Sequence, residues 1–185
     1  TLAAEHGIPM QANRCVMYFY FQDMEAEAAI KLMADSLDSE EDRLAEVGRH
    51  SVAMLKNIAE DETFAELEEY ARAIESTFLT ETGHSVFVGI SEPREDLISI
   101  PEAFEEARSA INVGRIYHSN RTVFVYRNLL LERFLNEVTP EMSANYNSKI
   151  FNRKTARLFN EEMIHTIETF FDNSLNLSET ARKLY

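Results

Sequence analysis

Tryptophan is absent, cysteine occurs once, and 185 residues contain only five glycines and four prolines. So little glycine and proline excludes a fibrous or low-complexity chain. The lone Cys15 cannot close an internal disulfide, which suits a reducing compartment. Its place beside Val16-Met17-Tyr18-Phe19-Tyr20-Phe21 marks it as an inert core residue. No apolar run approaches the roughly 20 residues of a membrane helix, and no basic-then-apolar leader opens the chain. These absences point to a cytoplasmic protein without a membrane partner. Basic residues are also scarce, 18 against 32 acidic, for a net charge of −14. Phosphate affinity comes mainly from Lys and Arg, so this chain by itself should bind DNA poorly. His6, His50, His84, His118 and His165 lack paired ligand spacing, and the acidic run 35–42 lacks the glycine and terminal Glu of a calcium loop. With no phosphate loop, zinc signature or nucleophile elbow, neither a metal nor a cofactor is expected.

What is present supports a real core: 45% hydrophobic residues, with 12 phenylalanines. Residues 14–21 are aromatic, β-prone and apolar on both faces, as in a strand covered on each side. Asp23 precedes a helix over about 24–34. Residues 43–47 and 51–55 flank Gly48-Arg49-His50 and read as a hairpin. From 61 to 78 the period becomes helical, with Phe64, Leu67, Ala71, Ile74 and Phe78 on one face. A strand at 85–90, a helix opening at Pro101 with Phe104, Ala107 and Ile111 buried, and a strand at 121–126 complete the pattern. Strand, helix, hairpin, helix, strand, helix, strand implies an α/β (α+β) mixed sheet of ferredoxin-like type with an extension.

Beyond residue 126 the pattern is all helical. A helix is expected over 128–136, a linker over 139–152, and a long helix over 153–171 with Phe159, Met163, Ile167 and Phe170 as its stripe. Lys149, Arg153, Lys154 and Arg157 form a small basic cluster there. At the end, Asn176 and Ser178 can cap a short helix, with Glu179 in capping-box spacing from Asn176. Ala181 and Leu184, three apart, should pack on a neighbouring helix. This reads as the opening of a helix-turn-helix whose second, groove-reading helix lies beyond Tyr185.

Three segments together resemble the CdaR/PucR group of bacterial transcription regulators, which includes the sugar diacid regulators. The first is Ala3-Ala4-Glu5-His6-Gly7-Ile8-Pro9 ahead of Arg14 and a strand, similar to the entry of that group's central GGDEF-like domain. The second is Val88-Gly89-Ile90-Ser91 followed by Ile100-Pro101-Glu102-Ala103-Phe104-Glu105-Glu106-Ala107-Arg108-Ser109-Ala110. The third is Thr166-Ile167-Glu168-Thr169-Phe170-Phe171 with Asn176-Leu177-Ser178-Glu179-Thr180-Ala181-Arg182-Lys183-Leu184. The resemblance implies a degenerate GGDEF-like domain over 1–138, the linker, and the start of a truncated helix-turn-helix DNA-binding domain over 153–185. Asn176, Ser178, Thr180 and Arg182 are then the partial DNA-binding set.

In active GGDEF enzymes the hairpin tip carries Gly-Gly-Asp-Glu-Phe, and an Asp near the end of the first strand helps hold metal. The matching hairpin here is Val47-Gly48-Arg49-His50-Ser51, and the first strand ends in Tyr20-Phe21-Gln22 before Asp23. Cyclising GTP requires carboxylates that hold Mg²⁺, a hard cation, against the phosphates. Arg49 and His50 cannot supply them, so no enzyme activity is expected. The resulting reading is a non-catalytic GGDEF-like domain for signal transmission or dimerisation, with DNA as partner only in the longer protein. A homodimer is expected, as helix-turn-helix regulators commonly pair on two half-sites. A small-molecule effector would enter through a domain outside this chain. The alternatives are a nucleotide-binding or residual cyclase domain, and a sensor module whose sheet face takes a small effector.

Overall fold

The computed structural model describes residues 8–34, 37, 39–151 and 158–184. Residues 3–7 of the first resembling segment, Asp35, Ser36 and Asp38 of the acidic run, and the basic residues Arg153, Lys154 and Arg157 lie outside them. The chain divides into two compact units, 1–136 and 137–185.

The first unit is built on β1 (Gln11–Phe21), the central strand. Around it lie β2 (Arg43–Gly48), β3 (Ser51–Asn57), β4 (Val86–Ile90), β5 (Arg94–Asp96) and β6 (Val123–Val125). Spatial order is β2-β3-β1-β4-β6, with β5 paired to the start of β1. Every pairing is antiparallel except β4 with β6, the parallel extension. The mixed sheet with helices expected from the pattern is present. β5 went unforeseen because Arg-Glu-Asp carries no β-propensity and pairs through the backbone alone.

Side-chain alternation sorts the strands onto two faces. Cys15, Met17, Phe19 and Phe21 of β1 join Val52, Met54, Val86, Val88 and Ile90 in the larger core. Helices α1 (Ala26–Met33) and α2 (Phe64–Thr82) cover that side, through Ala29 and Met33 and through Leu67, Ala71, Ile74 and Phe78. Thr63 caps α2 in a full capping box with Glu66, and that bonding holds the Glu66 carboxyl below the usual range. Gly83 ends α2 in the left-handed conformation, at φ 73°. Asp42, the last acid of the run 35–42, is buried and pairs with buried Lys56 at 3.4 Å while accepting from the Asn57 amide at 2.7 Å. Burial pushes the Cys15 thiol up to about 12, which removes the thiolate needed for reactivity.

On the other face, Val16, Tyr18 and Tyr20 lie beneath α3 (Ile100–Tyr117). Asp96 accepts from the amides of Ile98 and Ser99 and from the Ser99 hydroxyl, which organises the turn into this helix. Gly89 of β4 sits directly under α3: a Cβ there would lie 1.9 Å from the Ala107 carbonyl oxygen. Gly114 of α3 meets Phe124 of β6 as closely, at 2.2 Å for the same hypothetical Cβ. A 3₁₀ turn (Tyr126–Leu129) then leads to α4 (Leu130–Glu137), which exposes Leu130, Leu131 and Phe134. His118 at the end of α3 bonds Glu132 of α4 at 2.7 Å.

The second unit holds α5 (Pro140–Ile150), α6 (Glu161–Asp172) and α7 (Leu177–Leu184). Two expectations change here. The stretch read as linker is helical, opened by Thr139, whose side chain accepts from the Met142 amide, and by Pro140 in its first turn. The long helix does not run from 153: residues 153–157 lie outside the described residues, 158–160 are not helical, and α6 starts after Asn160, which caps the Met163 amide at 2.9 Å. Phe159, expected in the helical stripe, packs edge-on against Phe151 instead.

Gly89→Ala should cost about 2 kcal/mol or more, or abolish folding, because the clashing atom is helix backbone that cannot step aside. Urea unfolding measures it, and a loss under about 0.5 kcal/mol would contradict the packing. Native Cys15 should resist a thiol reagent at neutral pH and react only on unfolding.

Candidate functional site

The hairpin tip expected to carry the chemistry lies where β1 hands over to α1. Gly48 closes β2 and faces Ser51 across an irregular register, leaving Arg49 and His50 as the turn. The turn is tied down by backbone. The Phe21 amide donates to the His50 carbonyl at 2.9 Å, and the Ala26 amide donates to the Arg49 carbonyl at 2.8 Å. Side chains repeat the tie: Arg49 donates through Nε and Nη2 to one oxygen of Glu25, at 3.2 and 2.9 Å, and His50 Nδ1 lies 2.8 Å from the Met24 carbonyl.

A helix N-terminus is a natural anion cradle, because its first amides lack intrahelical partners. Here the first amide of α1 points at a hairpin carbonyl. The recess beside it is lined by Glu25, Glu27, Ala28, Lys31 and Leu32, and Lys31 is already paired with Glu27 at 2.9 Å. Two carboxylates against one engaged ammonium repel the phosphates a nucleotide would bring. Among the described residues, no group of His, Cys, Asp or Glu converges as a metal site. Asp23 stands exposed at the end of β1, and Glu25 is held by Arg49. Arg49 and Glu25 are both largely exposed, so their pair adds little stability. What it contributes is register between the hairpin and the loop before α1.

The other candidate set lies in the α6–turn–α7 segment. Asn176 is the cap that its type implies: its side-chain oxygen accepts from the amides of Ser178 and Glu179 at 3.1 and 3.2 Å. Ser178 is exposed, and Arg182 is exposed and pairs with Glu179 at 2.8 Å. Thr180 is different. It is buried, with its hydroxyl donating to the Asn176 carbonyl at 2.8 Å, so it packs the helix pair and is not presented outward. Ala181, expected to pack with Leu184, is exposed; Thr180 and half-buried Leu184 take the inner side, with Thr169 of α6 also buried. Between the helices Ser174 and Leu175 adopt left-handed backbone, at φ 52° and 64°, and the Leu175 amide returns to the Phe170 carbonyl at 2.9 Å. A helical threonine gives no sequence signal of burial, since its hydroxyl equally suits solvent. Bonding the hydroxyl to the carbonyl four residues back leaves only the methyl to pack.

Comparison with known proteins agrees with this architecture. The purine catabolism regulatory protein of Bacillus subtilis (strain 168) is 27% identical over 120 residues, which is 64% of this chain. The chain spans only 22% of that relative's length. The family model described as the GGDEF-like domain matches residues 1–113, the portion that contains β1 through most of α3. Strands β1 to β5, the hairpin and the glycine under α3 fall within that match, with β6 beyond it, and the chain belongs to the GGDEF-like domain family.

Proposed function

We propose that this chain is part of a transcriptional regulator, in which a non-catalytic GGDEF-like domain transmits a signal or supports dimerisation and a helix-turn-helix begins in the second unit. The observation that carries the reading is the tied hairpin. At the position where a cyclase would need carboxylates and open anion donors, the Ala26 amide is taken by the Arg49 carbonyl, the Arg49 side chain by Glu25, and the His50 ring by the Met24 carbonyl. The relative's printed name, a regulatory protein of purine catabolism, supports regulation as the role of the longer protein. The proposed division is 1–138 for the GGDEF-like domain, 139–152 as a connecting and partly helical segment, and 153–185 for the start of the DNA-binding domain. The proposed compartment is the cytoplasm, in keeping with the absence among the described residues of any helix long and apolar enough to cross a membrane.

DNA contact is assigned to the longer protein. Within this chain, exposed Ser178 and Arg182 are the members of the partial set that can reach a phosphate, with Asn176 engaged as cap. Self-association is assigned to the second unit, where Met163, Ile164 and Phe171 of α6 are exposed.

Incubated with GTP and Mg²⁺ or Mn²⁺, the chain should give no cyclic dinucleotide above a protein-free control. Product that disappears on mutation of Arg49 and His50 would overturn the non-enzyme reading. In a gel-shift titration near physiological salt, residues 1–185 should show no saturable sequence-specific binding, while protein extended beyond Tyr185 should bind. Specific binding by 1–185 alone would move DNA reading to another surface. Light scattering should report a dimer, and Met163→Asp with Phe171→Asp should shift it to monomer, since an unpaired charge in a dry contact is costly.

A further inference from the structure

The opposite side of the sheet from α1 and α2 carries a cavity of about 320 Å³ between β1 and the flank of α3. Its lining is Tyr18 and Tyr20 from β1, with Arg108, Ile111, Asn112 and Arg115 from α3. The spacing explains the convergence. Positions 108, 112 and 115 fall four and three apart, on one flank of the helix, and 18 and 20 point to the same face of the strand. The registers place Ser51 and Ala53 of β3 beside Tyr20 and Tyr18. Phe104 packs edge-on against Tyr18, with ring centroids 5.5 Å apart, and both tyrosines remain half-buried.

Arg115 is the informative residue. Its guanidinium carbon lies over the Phe87 ring, 4.4 Å from the centroid, and 5.7 Å from that of Tyr20. In a chain of net charge −14, no carboxylate of the described residues lies within ion-pair distance of it. A guanidinium held by an aromatic ring through its charge still has N–H donors to fork onto a carboxylate. Arg108 is already paired with Glu105, and the Tyr18 hydroxyl donates to Ser51 at 2.8 Å. The Asn112 carboxamide is exposed and bonds no protein group among the described residues. The open cavity thus offers the exposed guanidinium of Arg115 without a carboxylate partner, the exposed amide of Asn112, and the two tyrosines above an apolar floor at Ile111.

We infer that this cavity is a binding site for a small planar aromatic or heteroaromatic carboxylate. The carboxylate meets the Arg115 guanidinium, the ring lies against Tyr18, Tyr20 and Ile111, and Asn112 bonds a polar atom on the ring's rim. The volume suits one or two rings, at the small end of ligand pockets. A phosphate ester fits less well, because its second charge would call on Arg108, which Glu105 already neutralises. The site shares no residue with the hairpin and does not depend on the DNA-linked reading.

The test is a titration of ¹⁵N-labelled 1–185 followed by amide shifts, with benzoate as probe, benzamide as its neutral counterpart and AMP as the phosphate-bearing aromatic. Benzoate should give saturable shifts at Tyr18, Tyr20, Asn112 and Arg115, with benzamide weaker by about tenfold or more, the worth of a charge-assisted pair. Arg115→Gln should weaken benzoate by a similar factor. Asn112→Asp should do the same by placing a carboxylate in the cavity while leaving Arg115 over the Phe87 ring, which guards against a variant that merely loosens the fold. Equal response to benzoate and benzamide, shifts centred elsewhere, no saturation, or indifference to both variants would overturn the proposal. AMP binding tighter than benzoate would overturn the carboxylate in favour of a phosphate ligand.

Discussion

The backbone of α3 lies almost in contact with the backbone of β4, and most of the first unit follows from that approach. Only glycine at position 89 permits it, and Ala103, Ala107 and Ala110 keep the rest of the contact shallow. Bringing the helix down this far lets β4, α3 and β6 close as a parallel crossover, with Phe124 filling the notch at Gly114. It also fixes where the helix flank stands relative to Tyr18 and Tyr20. A bulkier residue at 89 would lift the helix off the aromatic floor and open the apolar side of Val16 to water.

At the far end of β1 the β2–β3 hairpin reaches the loop before α1 and is bonded to it by both backbone and side chains. Its carbonyls accept from Phe21 and Ala26, and its side chains bind Glu25 and Met24. Each of these bonds is individually modest. Together they join the hairpin, the end of the central strand and the start of α1, so displacement of one strains the other two. Such a joint makes the three segments shift as one.

Much of this was legible in the residues. The two-faced apolar run of β1, the apolar runs of β3 and β4, and the 3-4 spacing of Leu67, Ala71, Ile74 and Phe78 announce themselves because burial selects apolar residues in these patterns. The hairpin with Arg49 and His50 at its turn was equally plain. The bonds to Glu25 and Met24 were not, since they join residues 24 and 26 positions apart through no pattern. The second unit was read less well. Thr139-Pro140 and Asn160-Glu161-Glu162 are good helix starts, yet a Phe-rich stretch suggested one long stripe across the second of them. The cavity at Arg115 was invisible as well, because it needs a strand and a helix some ninety positions apart to be laid side by side.

β1 pairs with β3, β4 and β5, and both of its faces are covered from Arg14 to Met17. A strand bonded along both edges and roofed on both sides has no direction in which to absorb an extra residue. One insertion there would exchange the two faces, sending the phenylalanines under α3 and the tyrosines among α1 and α2. The tyrosine hydroxyls would then be stranded in hydrocarbon, and Tyr18 would lose Ser51. Length in this segment is therefore a fixed quantity, and variation among related chains should accumulate in its composition while its residue count stays constant.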